Sequence, residues 1–369
     1  TIRLLNLGGK RHKIVFEAPT GAGKTVMTCQ ALASITDELK ERGDSRYQEV
    51  AYIWFAPRKL HLQSYASLKN AFGETRKLRP VMFDEIDQSE GIQPGEILFV
   101  NWESVNNMFW SKTADKSAAV LERINPAVEL RISATPKTLH PDEKVKVYRQ
   151  DVIAAEMIKK EVVLNPDIEL DFSEERTLNE NLIKAALAKR NQLAELYQEL
   201  GVKINPLLLI QLPNDTKETM TSEDQAIAEQ VRTYLEAICG ITTENGLLAV
   251  WLANEKENLA GLERPDNMTQ VLLFKEAIAL GWDCPRAAVL LIFRKLQSDQ
   301  FTIQTVGRIL RMPEQKHYPK EQLNIGYVYT DIAKDKIQIV TADSDYILKN
   351  TITACRRENL ENVSLPAYY

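Results

Sequence analysis

The 369 residues carry 46 Lys and Arg against 51 Asp and Glu, a net charge of −5, with 44% hydrophobic and 26% charged residues. That balance excludes a disordered chain and a protein that coats nucleic acid by bulk charge, while a single basic groove stays compatible with it. No run reaches the roughly eighteen apolar residues of a bilayer span, residues 1–9 lack a signal-peptide pattern, and Cys29, Cys239, Cys284 and Cys355 have neither metal nor disulfide spacing. We expect a reduced, cytoplasmic setting, no membrane partner, and a length sufficient for two domains.

The first informative segment follows the apolar run Ile14-Val15-Phe16. It reads Glu17-Ala18-Pro19-Thr20-Gly21-Ala22-Gly23-Lys24-Thr25, and the residues after it have helical character. Strand, glycine-bearing turn, lysine, hydroxyl and helix, in that order, form the setting of a phosphate-binding loop. Thr20, Gly21, Ala22 and Gly23 turn backbone N–H groups inward, and the helix start adds a dipole that favours an anion. Lys24 is placed to reach the β- and γ-phosphates of ATP, and the Thr25 hydroxyl to hold Mg²⁺.

Further strands are expected at 51–55, 97–101 and 129–133, the last leading into Ser133-Ala134-Thr135-Pro136. Residues 151–164 read as a connection. Residues 178–200 form an amphipathic helix with Leu182, Ala186, Leu193, Leu196 and Leu200 on one face and Lys184, Lys189, Arg190, Glu195 and Glu199 solvated. After Pro206, Leu207-Leu208-Leu209-Ile210 is apolar on both faces, as a central parallel strand is. A helix at 223–238 and strands at 247–252, 271–274, 289–293 and 325–329 follow. Strands alternating with helices predict an α/β protein with mostly parallel, doubly wound sheets. The division is 1–150 for a first lobe, 151–205 for a linker with a helical insertion, and 206–369 for a second lobe.

Two segments of the second half complete the set: Gly281-Trp282-Asp283-Cys284-Pro285 and Gln304-Thr305-Val306-Gly307-Arg308-Ile309-Leu310-Arg311. Arg308 and Arg311, three apart, share one face of a helix, and guanidinium groups suit the spread charge of a phosphoryl-transfer transition state. With the phosphate loop, Ala56-Pro57 and Ser133-Ala134-Thr135, the chain from about residue 13 to about residue 330 resembles superfamily 2 helicases. The wording of Phe274-Lys275-Glu276-Ala277, Gly281-Trp282-Asp283-Cys284-Pro285-Arg286-Ala287 and Gly307-Arg308-Ile309-Leu310-Arg311-Met312-Pro313 is similar to the Res subunit of type III restriction enzymes and related DNA-repair helicases. The resemblance implies two RecA-like lobes, ATP with Mg²⁺, DNA as the partner ahead of RNA, and a methyltransferase or specificity subunit as a companion. It implies that Gly281 and Asp283 contact the nucleotide and that Arg308 and Arg311 are catalytic together with Lys24 and Thr25.

Two departures from the family pattern bear on function. An Asp-Glu pair is expected between Ser104 and Ser133 but is not found there, and we expect a segment carrying it to be absent between Trp110 and Lys116. Asp84-Glu85, after Val81-Met82-Phe83, is the visible candidate although it comes too early. No nuclease signature follows Tyr327, so cleavage is not expected of this chain. The expected function is an ATP-dependent DNA translocase or helicase motor of a restriction-like or antiphage system. The alternatives are an RNA helicase of the same superfamily and a nucleotide-gated binding module without hydrolysis.

Overall fold

A computed structural model describes residues 11–42, 50–57, 60–72, 78–86, 89–103, 116–134, 136, 140–166, 175–212, 222–252, 255–275, 282–293 and 306–330. Strand β1 (His12–Glu17) leads into the glycine turn, and helix α1 (Lys24–Arg42) leaves it. Then come β2 (Tyr52–Ala56), α2 (Leu60–Phe72), β3 (Arg79–Met82), β4 (Glu96–Asn101), α3 (Lys116–Ile124), β5 (Val128–Ser133) and β6 (Glu143–Lys146). β1 lies between β5 and β6, parallel to both, with Ile14 opposite Leu130 on one side and Glu143 on the other. β4 lies between β2 and β3, again parallel. Its Ile97 and Phe99 are buried against Cys29 and Ala33 of α1 and Leu68 of α2. Helix α1 thereby ties the glycine turn at its start to the second sheet along its length.

The remaining elements are α4 (Arg149–Ala154), β7 (Glu161–Leu164), α5 (Glu175–Glu199), β8 (Leu207–Gln211) and α6 (Ser222–Thr233). They are followed by β9 (Leu248–Trp251), β10 (Lys256–Glu257), β11 (Val271–Phe274), β12 (Ala287–Ile292) and β13 (Ile325–Thr330). They build a seven-stranded sheet in the order β10-β9-β11-β8-β12-β13-β7. All neighbours are parallel except β10, which turns back on β9. β8, β11 and β12 are buried along their whole length, which explains their unbroken apolar runs. The mixture of parallel sheets and flanking helices matches the expected fold class.

The stretch read as linker and insertion, 151–205, has two parts in the structure. β7 adds to the edge of the seven-stranded sheet through β13. α5 lies on that sheet, with Leu182, Ile183, Ala186, Leu193 and Tyr197 packed against residues of β8 and β12. Lys184, Glu195 and Glu199 are exposed as expected, but Arg190 is buried. Its Nε donates to Pro206 O at 2.9 Å, so the guanidinium serves the end of a loop rather than solvent.

Arg286 repeats this device and is almost fully buried. Its guanidinium donates to the carbonyls of Leu262 (2.8 Å), Asn205 (2.7 Å) and Thr269 (3.0 Å). Asn205 precedes β8, Leu262 and Thr269 lie in the segment before β11, and Arg286 itself precedes β12, so one guanidinium joins three loops. Replacing Arg286 with Met keeps bulk and removes every donor, and each orphaned buried acceptor costs about 1–3 kcal/mol. Arg286→Met is therefore expected to lower stability by roughly 3 kcal/mol or more in urea unfolding. A change within about 0.5 kcal/mol, the range of ordinary surface substitutions, would refute that role.

Candidate nucleotide site

The glycine turn is held from β5: Ala18 N donates to Ser133 O at 3.2 Å. Gly21 (φ +89°) and Gly23 (φ +72°) take backbone conformations that side chains disfavour. Between them Ala22 is buried, its N–H donating to Pro19 O at 3.2 Å. Lys24 begins α1, and its Nζ donates to Pro19 O (2.8 Å) and Ala18 O (3.1 Å), so the ammonium fills the crook of its own loop. Burial first, and the neighbouring Arg311 guanidinium second, lower its pKa to about 8. Thr25 stands half-buried in the first turn of α1.

A second wall comes from residues 306–311. Gly307 lies against the loop so closely that a Cβ there would stand 2.8 Å from Thr20 Cβ and Cγ2. A Cβ on Gly21 would stand 3.3 Å from Arg311 Cγ. The phosphate loop and the arginine segment are thus in direct van der Waals contact. Arg311 is ion-paired with Asp283, and Arg308 Nη1 donates to Trp282 O. Asp283 Oδ1 and Arg308 Nε are buried without a partner among the described residues. Burial, then Arg311, brings the Arg308 pKa down to about 10. Trp282 itself packs edge to face on Trp251, ring centroids 6.2 Å apart.

Thr20, Gly21, Ala22, Gly23, Lys24, Thr25, Asp283, Arg308 and Arg311 therefore converge, whereas Gly281 lies outside the described residues. The spacing of Arg308 and Arg311 predicts a shared helical face, and here the structure differs. The helix closes at 309, and Arg311 forms an antiparallel bridge with Ile158. The two arginines are brought together by Trp282-Asp283 and by that bridge. Asp84 and Glu85 lie in a 3-10 turn that follows β3, an edge of the β2-β4-β3 sheet rather than of the sheet of β1. The Glu85 carboxylate accepts from Met82 N at 2.7 Å and Tyr65 OH at 3.3 Å. The stretch where the pair is expected, 104–115, lies outside the described residues.

Residues missing from the sequence expectation form a third wall. Met157 and Ile158, between α4 and β7, press on the glycines: a Cβ at Gly21 would lie 2.8 Å from Ile158 Cγ2, and one at Gly23 would lie 3.4 Å from Met157 Cε. Ile158 is fully buried in a cluster with Ala18, Ala22 and Val152. The only sequence signal for them is an apolar pair inside the charged run Glu156 to Glu161.

No protein-family model and no curated protein sequence matches the chain. Solved structures do. A fragment assigned as the HsdR subunit of a type I restriction enzyme from Vibrio vulnificus YJ016 aligns over 93% of this chain and 65% of its own, with TM-score 0.54 and 17% identity. The likeness is one of fold, parallel sheets flanked by helices. RecG bound to a three-way DNA junction aligns over 95% of this chain and 44% of its own at TM-score 0.52 and 14% identity. Mss116p bound to single-stranded RNA and AMP-PNP aligns over 91% and 69% at TM-score 0.50 and 13% identity. The chain thus spans less than two thirds of the restriction subunit and under half of RecG.

Lys159, next to Ile158, is almost wholly buried, and burial lowers its pKa to about 7. The lysine pKa of the unfolded chain is higher, so the unfolded state binds more protons between about pH 7 and pH 10, and stability rises with pH across that window. Below about pH 7 the native state carries the full cost of a buried ammonium. Lys159→Met should therefore stabilise by on the order of 1–4 kcal/mol near pH 6 and by progressively less toward about pH 10. Thermal unfolding at several pH values measures this, and a gain independent of pH would contradict the assignment.

Proposed function

We propose that this chain is the ATP-hydrolysing motor of a DNA translocase or helicase. The observation that carries the reading is the contact of the Arg308–Arg311 segment with the phosphate loop, Gly307 on Thr20 and Arg311 on Gly21. Two cationic groups from distant parts of the chain, Lys24 and Arg311, thereby face one anion-binding turn. Such an arrangement serves phosphoryl transfer, where arginines that meet the transferring group raise the rate by about 10³–10⁵.

In this account the loop N–H groups of Gly21 to Thr25 and the start of α1 hold the phosphates. An incoming anion draws Lys24 away from the carbonyls of Ala18 and Pro19. Arg308 and Arg311 neutralise charge that develops on the γ-phosphoryl group. The Thr25 hydroxyl would hold Mg²⁺, which would supply charge to offset that of the phosphates; a single protein hydroxyl fits the sparse protein ligation this ion accepts. Closure of the two walls around ATP and their release after hydrolysis couple chemistry to motion.

DNA as the track is proposed from the type III restriction wording of residues 274–287 and 307–313, as are a restriction-like role, a methyltransferase companion and a cytoplasmic setting. Two helicase-fold neighbours carry DNA and RNA respectively, RecG and Mss116p. Among the described residues no helix is long and apolar enough to cross a membrane. A nucleotide-gated module without hydrolysis is the second reading, favoured by the commitment of Glu85 to Met82 and Tyr65.

Steady-state ATPase assays with no polymer, duplex DNA, single-stranded DNA and RNA test the proposal. DNA should stimulate turnover, and Lys24→Ala and Arg311→Ala should each reduce it by about 10³-fold or more. Higher stimulation by RNA would replace DNA as the track. ATP binding without turnover on any polymer would leave the gated module.

The lowered Lys24 pKa adds a pH signature. Above about pH 8 the free protein loses the Lys24 proton, so a phosphate that requires the ammonium binds with proton uptake. The Kd for ATP should be flat below about pH 8 and rise by up to about tenfold per pH unit above it. Arg311→Ala removes the second cause of the shift and should move the break to higher pH. A Kd flat to about pH 10 would refute the coupling.

A further inference from the structure

The segment between α4 and β7 joins two halves of the fold, and its backbone is used in a way that a mere tether does not need. Lys159 N donates to Leu310 O at 2.7 Å, and Met312 N donates to Met157 O at 3.2 Å, on either side of the Ile158–Arg311 bridge. The other side of the same segment is clamped. The Arg149 guanidinium donates to Lys159 O and Lys160 O, both at 3.2 Å. The His317 ring meets Ile158 O at 2.9 Å, and His317 N donates to the Glu156 carboxylate at 3.2 Å. Lys160 N donates to Asn324 O at 2.9 Å. Residues 156–160 are therefore a strap whose outer edge is fixed to Arg149 of α4 and to His317 and Asn324 of the second half of the chain.

Its inner edge carries the two side chains that touch the phosphate loop. Ile158 Cγ2 covers Gly21, and Met157 Cε covers Gly23. Arg311 covers the same Gly21 with Cγ. One residue pair, Ile158 and Arg311, is thus joined through the backbone and rests on one glycine through its side chains. A change in the loop at Gly21 must move Ile158, and Ile158 cannot move without carrying the backbone of Arg311.

We propose that Ile158, with Met157 beside it, is a positioning residue for Arg311, reading the conformation of the phosphate loop and setting the guanidinium in register with it. The proposal rests on the ATPase reading above. Ile158 touches no reacting atom. Its effect is on where Arg311 stands, and a displacement of about 1 Å at such a group can cost on the order of 100-fold in rate.

The test is a double-mutant cycle of Ile158→Ala and Arg311→Ala, with Ile158→Val as the conservative control. Ile158→Ala should lower kcat by about 10- to 100-fold while KM for ATP changes by less than about threefold, and Ile158→Val should restore most of kcat. In the Arg311→Ala background, Ile158→Ala should have almost no further effect, because residues acting as one unit are not additive. A purely structural Ile158 would give equal losses in both backgrounds, or a rise in KM with kcat intact, and either result overturns the proposal. If Ile158→Ala does not fold, Met157→Ala in the same cycle replaces it with the same expectations. Absence of turnover in the unaltered protein is failure of the ATPase reading alone. The cycle is then read on the Kd for ATP, where coupling above about threefold sustains the positioning role and additivity ends it.

Discussion

Gly21 is roofed by two side chains from remote parts of the chain, Ile158 and the aliphatic stem of Arg311, at separations that leave no space for a Cβ. Its φ of +89° independently disfavours any other residue. This one position decides how close the arginine wall can come to the phosphate loop. Gly307, pressed on the Thr20 side chain, is equally tight. At each glycine the missing Cβ is what admits a side chain of the other segment.

The electrostatics of the site follow from that closeness. Lys24, Arg308 and Arg311 converge, burial weakens the solvation of Lys24 and Arg308, and the pKa of each is lowered partly by Arg311. Asp283 is the carboxylate that answers them, through Arg311. Like charges held together in a low-dielectric crevice raise the energy of the empty site and favour an arriving anion. The loop carbonyls of Ala18 and Pro19 that hold the Lys24 ammonium, and the Asp283 carboxylate that holds Arg311, are weaker acceptors than a phosphate bearing several charges. Both cations are thus parked on partners that a nucleotide can displace. The strap at 156–160 then makes displacement on one wall felt on the other.

Much of this was legible in the residues themselves. The glycine turn, Lys24 and Thr25 could be read because phosphate chemistry dictates residue type at fixed spacing. β8, β11 and β12 could be read because strands buried on both faces are apolar throughout. β6, with the composition Glu-Lys-Val-Lys, could not be, since an edge strand with one apolar residue has no periodic signal. Arg190 was misplaced on a solvated face because helical periodicity says nothing of a carbonyl such as that of Pro206 waiting to receive it. The strap was invisible for a different reason. Met157 and Ile158 matter through contacts with residues more than a hundred positions away along the chain on either side, and no local pattern encodes those.

The central claim is that the phosphate loop, the arginine segment and the strap form one nucleotide site. A crystal structure of the protein with ADP, Mg²⁺ and aluminium fluoride, which imitates the transferring phosphoryl group, tests it most directly. The account predicts the fluoride held by Lys24 Nζ and by the Arg311 guanidinium, which has left Asp283, with Ile158 still bridged to residue 311. A nucleotide seated on Gly21 to Thr25 while Arg311 remains paired with Asp283 and Gly307 has drawn away from Thr20 would contradict it.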